Sequence, residues 1–470
     1  MTDRAPGLIT DLYELTMAAA YFENGLHHRA VFEMFTRKLP RRRAYLIVAG
    51  IQQALEYLST LRFTGDQIDY LREHPAFKHV SAEFFQYLGA LKFTGDVWAM
   101  PEGTAAFGME PLMRITAPII EAQIAETFLL SAINFQTMIA SKASRIVTAA
   151  SGRDIIEFGT RRAHGTEAGL LAARAAYIAG CAGTSNVEAG HVFGIPTFGT
   201  LAHSFVMSFD DEDEAFRAFL KVFPETATVL VDTYDTIAAV KRLARDFGSS
   251  IPAVRLDSGD LLELSKQVRE ILDHAGMTKT RIFASGDLNE YKIRDLISNG
   301  AAIDSFGVGT ELATSYDSPA LSGVYKLTAL EENGRISMRI KLSHDKETYP
   351  GPKQVWRFSD STGKYISDLI ALADEDVSDE EPTESRPLLE LMMEQGRMKE
   401  RAERMPDEHR VTTKSRAELS GARLRAREEL ENLPAELLLL DAEPTYSVRF
   451  SKRLIEEREN LERKLDELVN

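Results

Sequence analysis

One cysteine in 470 residues, Cys181, excludes an intrachain disulfide and any zinc site built on several cysteines. A chain without disulfides fits a reducing compartment, so a cytoplasmic location is expected. No apolar run reaches membrane-spanning length, and Met1-Thr2-Asp3-Arg4-Ala5-Pro6 carries no apolar signal core. The GxxxxGK[ST] phosphate loop, the GxGxxG dinucleotide fingerprint and the HExxH metal pair are missing. The expectation is therefore no zinc, no haem and no dinucleotide cofactor. Positive charge is also short, with 55 basic against 71 acidic residues and a net charge of −16. Such a surface repels nucleic acid and anionic membrane, so any phosphate ligand must be held by local sites.

The composition that remains is globular, with 44% hydrophobic and 27% charged residues in a length that suits two or three domains. Near the N-terminus, Asp11 caps an apolar-periodic run from Leu12 to Phe22 that Gly25 ends. Ala30 to Phe35 alternates like a strand, and Ile51 to Leu61 reads as an amphipathic helix. From about Asp96 to Lys326 the texture changes. Short apolar runs end in Gly, Asp, Thr or Ser and are mostly separated by one helix-sized segment. They begin at Ile155, Ile195, Val229, Ala253, Ile282 and Phe306. Strand alternating with helix implies parallel strands, in a barrel or a doubly wound sheet. In either, the active site lies at the C-terminal strand ends, where these polar residues fall. After about Leu342 the rhythm stops. Gln354 to Phe358 reads as a strand, Asp374 to Glu384 as a solvated acidic loop, and Ser415 to Leu430 and Leu454 to Leu468 as charged amphipathic helices.

Several strand ends can carry chemistry. His203, in Gly199-Thr200-Leu201-Ala202-His203-Ser204-Phe205, can be a base, an acid or a phosphate-accepting nucleophile; a plain reading is a helix-capping histidine. Arg255-Leu256-Asp257-Ser258-Gly259-Asp260 places a cation and two carboxylates around one strand end. Arginine can clamp a carboxylate or phosphate, and carboxylates can hold sugar hydroxyls or a hydrated Mg²⁺. Asp257 or Ser258 can also cap the helix beginning near Leu261. Ala284-Ser285-Gly286-Asp287-Leu288-Asn289 and Gly307-Val308-Gly309-Thr310 are glycine turns entering helices, suited to a phosphate. Arg161 and Arg162 follow Gly159 and read as an anion site or a solvated basic turn. Tyr13 reads as core by spacing alone, and Arg41, Arg42 and Arg43 as a solvated triplet or a reach to phosphate across a dimer.

Together these motifs resemble the nicotinate phosphoribosyltransferase family. The resemblance rests on Asp11-Leu12-Tyr13-Glu14-Leu15-Thr16-Met17, Glu157-Phe158-Gly159-Thr160-Arg161-Arg162, and the His203, Arg255 and Phe306 segments, in the family's order and spacing. Arg43 falls in a Pro-x-x-Arg-x-aromatic pattern of that family. The resemblance implies an α/β fold: an irregular or incomplete β/α barrel of the type II phosphoribosyltransferase kind, with a second α+β domain built from both chain ends. The expected divisions are 1–115, 116–342 for the barrel, and 343–470 packing with the N-terminal part.

The resemblance also implies a reaction of nicotinate with 5-phosphoribosyl 1-pyrophosphate, coupled to ATP hydrolysis, in NAD synthesis, by a homodimer with Mg²⁺. Tyr13 would stack on the pyridine ring. Arg255, with Arg161, would pair with the carboxylate, and Thr200 would lie near the ring or ribose. Asp257 would hold ribose hydroxyls. Ser285, Gly286, Gly309 and Thr310 would cradle the 5′-phosphate, with Arg43 also on the phosphoribosyl pyrophosphate. His203 would accept phosphate from ATP. Asp232, at the next strand end, is the carboxylate expected to orient the His203 ring. Mg²⁺ would be held mainly by pyrophosphate, with Asp260 as a further ligand. The rivals are a nicotinamide phosphoribosyltransferase, a quinolinate phosphoribosyltransferase, and a non-catalytic barrel serving as sensor or scaffold.

Overall fold

The computed structural model describes residues 5–248, 251–332, 334–342, 348–378, 384–399, 413–441 and 445–469. The chain folds as two compact units, Ile139–Pro319 and Met1–Met138 with Ala320–Asn470. The divisions expected with the resemblance lie at 115/116 and 342/343. The structural boundaries fall instead inside the helix Glu126–Ala149 and just before the strand Gly323–Glu332. That strand pairs antiparallel with Arg29–Thr36, so it belongs with the chain ends and not with the parallel rhythm.

In Ile139–Pro319 the alternation of strand and helix produces parallel strands, because each return needs a crossover. The strands are β1 (Asp154–Glu157), β2 (Gly183–Thr184), β3 (Thr228–Leu230), β4 (Ala253–Leu256), β5 (Arg281–Ala284) and β6 (Ser305–Val308). Their order is β2-β1-β6-β5-β4-β3, with every pairing parallel. Beyond their first residue β1, β5 and β6 are buried without alternation, as a sheet covered on both faces requires.

The run expected as a strand from Ile195 is reduced to one parallel bridge, Thr184 to Thr197. Pro196 has no N–H to extend the ladder, although its carbonyl accepts from Thr184 N at 3.0 Å. Among the described residues no ladder joins the Thr197 edge to β3, so the barrel is incomplete. The His203 ring crosses that gap to Thr233, just past β3.

The other unit is α+β. Its largest sheet has seven strands, and the interior strand Arg29–Thr36 is flanked by Pro111–Pro118 and Gly323–Glu332. Ala30 to Thr36 are all buried, so both faces of this strand are covered, where the sequence alternation suggested one wet face. A four-stranded sheet contains Lys353–Ser359 and Tyr365–Leu372, drawn from the C-terminal part. The helices Leu12–Glu23, Ile51–Thr60, Thr413–Asn432 and Lys452–Val469 occupy the stretches where periodicity indicated them. The acidic loop lies partly outside the described residues. Within them, Asp374 pairs with Arg453 at 3.0 Å and Glu375 accepts from Ser451 at 2.7 Å. No helix among the described residues is long and apolar enough to cross a membrane.

One buried cation ties this unit together. Arg357 has no exposed surface. It donates to Asp368, with Nη2 at 2.6 Å, to Glu429 at 2.6 Å and to the Ala105 carbonyl at 2.9 Å, between the rings of Tyr365 and Phe107. Glu110 lies beside it. Burial first, then the charge of Asp368, pushes the Glu110 carboxyl well above its ordinary range. Removing one partner of a buried ion pair leaves an uncompensated charge. Glu429→Ala is therefore expected to destabilise this unit by about 3–5 kcal/mol, read from the midpoint of urea unfolding. A loss below about 1 kcal/mol would show that water or another group replaces Glu429.

Candidate functional site

The site in Ile139–Pro319 grows from the pleat of β4. Successive side chains point to opposite faces, so Val254 and Leu256 are fully buried while Arg255 is turned out. Its guanidinium reaches three other groups at strand ends. Nε donates to Ser285 Oγ at 2.8 Å, Nη1 to Thr200 Oγ1 at 2.9 Å and Nη2 to Asp257 Oδ1 at 2.6 Å. It also sits 6.0 Å from the Phe158 ring centroid. Three of its five N–H donors are engaged by described residues, which leaves two for an anionic ligand.

Asp257 is ionised by its surroundings. Desolvation, the largest effect, raises its pKa, but the Ser285 hydroxyl, the Arg255 charge and hydrogen bond, and the His203 charge together hold it below the ordinary value. Both Arg255 and Ser285 donate to Oδ1, so Oδ2 stays open. Asp232 lies behind this pair. Its Oδ2 accepts from Asp257 N at 3.0 Å and from Ser258 Oγ at 2.6 Å, while Oδ1 is buried without a hydrogen-bond partner.

Asp232 does not hold the His203 ring, contrary to the sequence expectation. His203 Nδ1 pairs with Thr233 Oγ1 at 3.2 Å, because the chain beyond β3 turns Asp232 toward the Asp257-Ser258 backbone and leaves the next side chain facing the histidine. His203 itself opens the one-turn helix His203–Val206.

The helix Leu261–His274 is capped by Asp260, whose Oδ1 accepts from Leu262 N at 3.1 Å and Glu263 N at 3.2 Å. Neither Asp257 nor Ser258 serves as the cap, since both side chains are taken within the cluster. Among the described residues no group of three or more His, Cys, Asp or Glu side chains could hold a metal ion.

The turn after β5 needs its glycine. Gly286 has φ of +102°, and a Cβ there would lie 2.2 Å from the Asp257 carbonyl oxygen. The turn runs into the nine-residue helix Glu290–Ser298, capped by Asn289. The turn after β6 opens only the single helical turn Thr310–Ala313, where the sequence suggested a full helix. Gly159, after β1, packs against it, since a Cβ would meet Ala313 Cβ at 2.2 Å and the Gly309 carbonyl at 2.8 Å. Buried Glu157 secures this approach by accepting from Gly159 N and from Thr184 Oγ1, the latter at 2.6 Å. Burial raises its pKa. Glu157 has no role among the sequence expectations above. The readable signal was a lone carboxylate in the apolar run Ile155-Ile156-Glu157-Phe158. Arg161 and Arg162 are exposed, and Arg161 makes no hydrogen bond or ion pair with a described residue.

Tyr13 and Arg43 belong to the other unit. Arg43 is buried, whereas Arg41 and Arg42 are exposed, so the solvated-triplet reading fits only the first two. The cause is local: Arg42 takes a left-handed φ of +61°, and Arg43 N bonds to the Pro40 carbonyl at 3.0 Å. Tyr13 is 47% exposed, against the core reading. Burial of its hydroxyl, then the charges of Glu126 and Glu14, raises its pKa. Glu14 is fully buried. Thr127 Oγ1 lies 2.8 Å from both Glu14 Oε1 and Asp11 Oδ2, with one hydrogen to give. Thr10 Oγ1 contacts Glu14 Oε2 and also the Ile124 carbonyl at 2.9 Å. A protonated Glu14 donating to Thr10 completes this arrangement. Desolvation, opposed by Thr127 and reinforced by Glu126, pushes the Glu14 carboxyl up to about 7.

Two outcomes follow from these contacts. Gly286→Ala should displace the Asp257 carbonyl and cost about 1–3 kcal/mol, measured by chemical unfolding, because both φ and space are wrong for a methyl group. Glu14 has a raised folded pKa, so its contribution is present below the ordinary carboxyl pKa and lost as pH rises through about 7. Amide exchange in Leu12–Glu23 should therefore lose protection between about pH 5 and 8 in the wild type and stay flat in Glu14→Gln. Identical pH slopes in both proteins would show that Glu14 is not the titrating group.

The chain matches the family models of the nicotinate phosphoribosyltransferase N-terminal domain over residues 8–134, the nicotinate phosphoribosyltransferase family over 154–341 and its C-terminal domain over 352–458. Nicotinate phosphoribosyltransferase pncB2 of Mycobacterium tuberculosis (strain ATCC 25618 / H37Rv) is 45% identical over 458 residues, covering 96% of this chain and 92% of that protein. Nicotinate phosphoribosyltransferase of Bacillus subtilis (strain 168) is 44% identical over 388 residues, covering 80% and 78%. The crystal structure of human nicotinic acid phosphoribosyltransferase superposes with a TM-score of 0.82 at 28% identity, covering 96% of this chain and 99% of that one. The chain belongs to the nicotinate phosphoribosyltransferase family.

Proposed function

We propose that this chain transfers the phosphoribosyl group of 5-phosphoribosyl 1-pyrophosphate to nicotinate. The products are nicotinate mononucleotide and pyrophosphate, coupled to ATP hydrolysis through His203 in NAD synthesis. The observation that carries the reading is Arg255, held by Thr200, Ser285 and Asp257 with two donors to spare. A fixed fork with two free donors suits a planar carboxylate and gives an uncharged amide less.

In this reading Arg255 aims the pyridine nitrogen at the ribose C1 atom, and Tyr13, half exposed, offers its ring face for stacking. The nitrogen lone pair forms the new C–N bond as the C–O bond to pyrophosphate breaks, so no base is needed. Positive charge grows on the ribose, and the ionised Asp257 is placed to accept from its hydroxyls through the open Oδ2. Ser285, Gly286, Gly309 and Thr310 form the cradle for the 5′-phosphate, and Arg43 and Arg161 remain secondary candidates for anionic groups. Magnesium would be carried chiefly by pyrophosphate oxygens and water, neutralising the leaving group. Asp232 Oδ1, buried without a partner, is the protein oxygen that fits a hydrated cation, ahead of Asp260, whose Oδ1 caps a helix.

With Nδ1–H donating to Thr233, the Nε2 lone pair of His203 is the nucleophile toward ATP. An N–P bond forms as the bond to ADP breaks, and later hydrolysis of phosphohistidine returns the free ring. The reading includes a homodimer in solution, as the resemblance implies.

Turnover with nicotinate, nicotinamide or quinolinate, each with and without ATP, tests the assignment. Nicotinate alone should support rapid ATP-stimulated turnover. Nicotinate mononucleotide formation that ignores nicotinate concentration overturns it. Arg255→Lys should lower kcat/KM for nicotinate about 10–100-fold, the loss of one charge-assisted fork. His203→Ala should lose ATP stimulation and keep slow ATP-independent transfer, and full stimulation in that variant would remove the phosphohistidine from the mechanism.

A further inference from the structure

One lysine in Ile139–Pro319 is buried among three carboxylates. Lys142 lies in the helix Glu126–Ala149 with 1% of its side chain exposed. Its Nζ is 2.6 Å from Glu290, 2.9 Å from Asp317 and 3.3 Å from Glu311. Arg145, one helical turn along, reaches the other oxygen of Glu290 at 3.3 Å and the Tyr291 hydroxyl at 3.2 Å. Glu290 is fully buried, while Glu311 and Asp317 keep 22% and 30% of their side-chain exposure.

The positions of these carboxylates are informative. Glu290 opens the helix that follows Ser285-Gly286, and Glu311 directly follows Gly309-Thr310. The β5–β6 ladder ends at the pair Ala284–Phe306, so beyond it the two turns share no strand pairing. The ammonium reaches both. A charge this deeply buried is held only where its partners are held with it, because each ion left unpaired in the interior is costly. Three carboxylates lie within 3.3 Å of the ammonium, and Glu290 Oε2, buried without a hydrogen bond, has that charge as its near compensation, so moving the ammonium leaves a buried anion exposed to the interior. Lys142 cannot touch substrate itself, since almost none of it is exposed.

We propose that Lys142 is a positioning residue for the phosphate cradle: its ammonium sets the spacing between the turn at Ser285-Gly286 and the turn at Gly309-Thr310. This rests on the reading above, which places the ribose 5′-phosphate between those turns. Arg255 is held by Ser285 in the first turn and not by the Gly309-Thr310 turn, so loosening the second turn alone should weaken the phosphoribosyl ligand far more than the pyridine ligand.

Lys142→Met would strand Glu290 in the interior and can simply unfold the unit, so two gentler changes carry the test. Glu311→Ala unties the second turn at a half-open position, and Glu311→Gln keeps a hydrogen-bond acceptor for the ammonium. Both are made in the full chain, with ribose 5-phosphate binding read by titration calorimetry and KM values by steady-state assay. Glu311→Ala should weaken ribose 5-phosphate binding and raise KM for 5-phosphoribosyl 1-pyrophosphate at least tenfold, with KM for nicotinate within twofold. Glu311→Gln should recover most of that loss. Unchanged ribose 5-phosphate binding overturns the proposal, as does equal weakening toward both substrates, which would mark plain loosening of the fold. A wild-type chain that fails to turn over nicotinate, but whose ribose 5-phosphate binding still depends on Glu311, overturns the reaction and keeps the clamp. A wild type that binds no ribose 5-phosphate overturns both.

Discussion

The Arg255 guanidinium is the interaction on which the candidate site depends. It gathers Thr200, Asp257 and Ser285 from three separate segments of one incomplete barrel. Asp257 in turn hands its backbone N–H to Asp232, and the neighbouring Thr233 holds His203. Removing the cation would leave Asp257 desolvated with its main counter-charge gone, so the ionised state of that carboxylate and the geometry of the turns rise and fall together.

The same physics recurs in both units. The chain is acidic overall, yet each unit is organised around a buried cation surrounded by carboxylates: Arg357 with Asp368 and Glu429 in one, Lys142 with Glu290, Glu311 and Asp317 in the other. Where an excess of acid is inside, something must stay neutral. Glu110 and Glu14 are among the carboxyls pushed up by burial and by neighbouring negative charge. The planar fork of Arg357 takes Asp368 through two nitrogens, whereas the point charge of Lys142 lies close to three separated carboxylate oxygens.

Much of the candidate site was legible because parallel β/α architecture puts function at strand ends, and strand ends can be read from where an apolar run meets a polar residue. Arg255, Asp257, Ser285 and Gly286 lie together as that rule requires. The misses have separate causes. Asp232 was paired with His203 by chemistry alone, but which of two adjacent side chains faces a ring depends on the backbone turn after β3, and Thr233 faces it. Asp260, not Asp257 or Ser258, caps the following helix because the cluster had already taken the others. The strand expected at Ile195 shrank to a bridge at Thr197, since Pro196 denies the ladder a donor.

Sequence alone determined the alternation of strand and helix, the polar strand ends and the family, because periodicity and short motifs are local properties of the chain. Only the tertiary structure decided that Arg43 and Lys142 are buried, that Glu14 is shielded until its carboxyl titrates near neutrality, and that Lys142 meets carboxylates more than 140 residues away. Burial and charge pairing are set by what the fold brings from elsewhere, and a lysine in a helix reads as an ordinary surface cation until its surroundings are known.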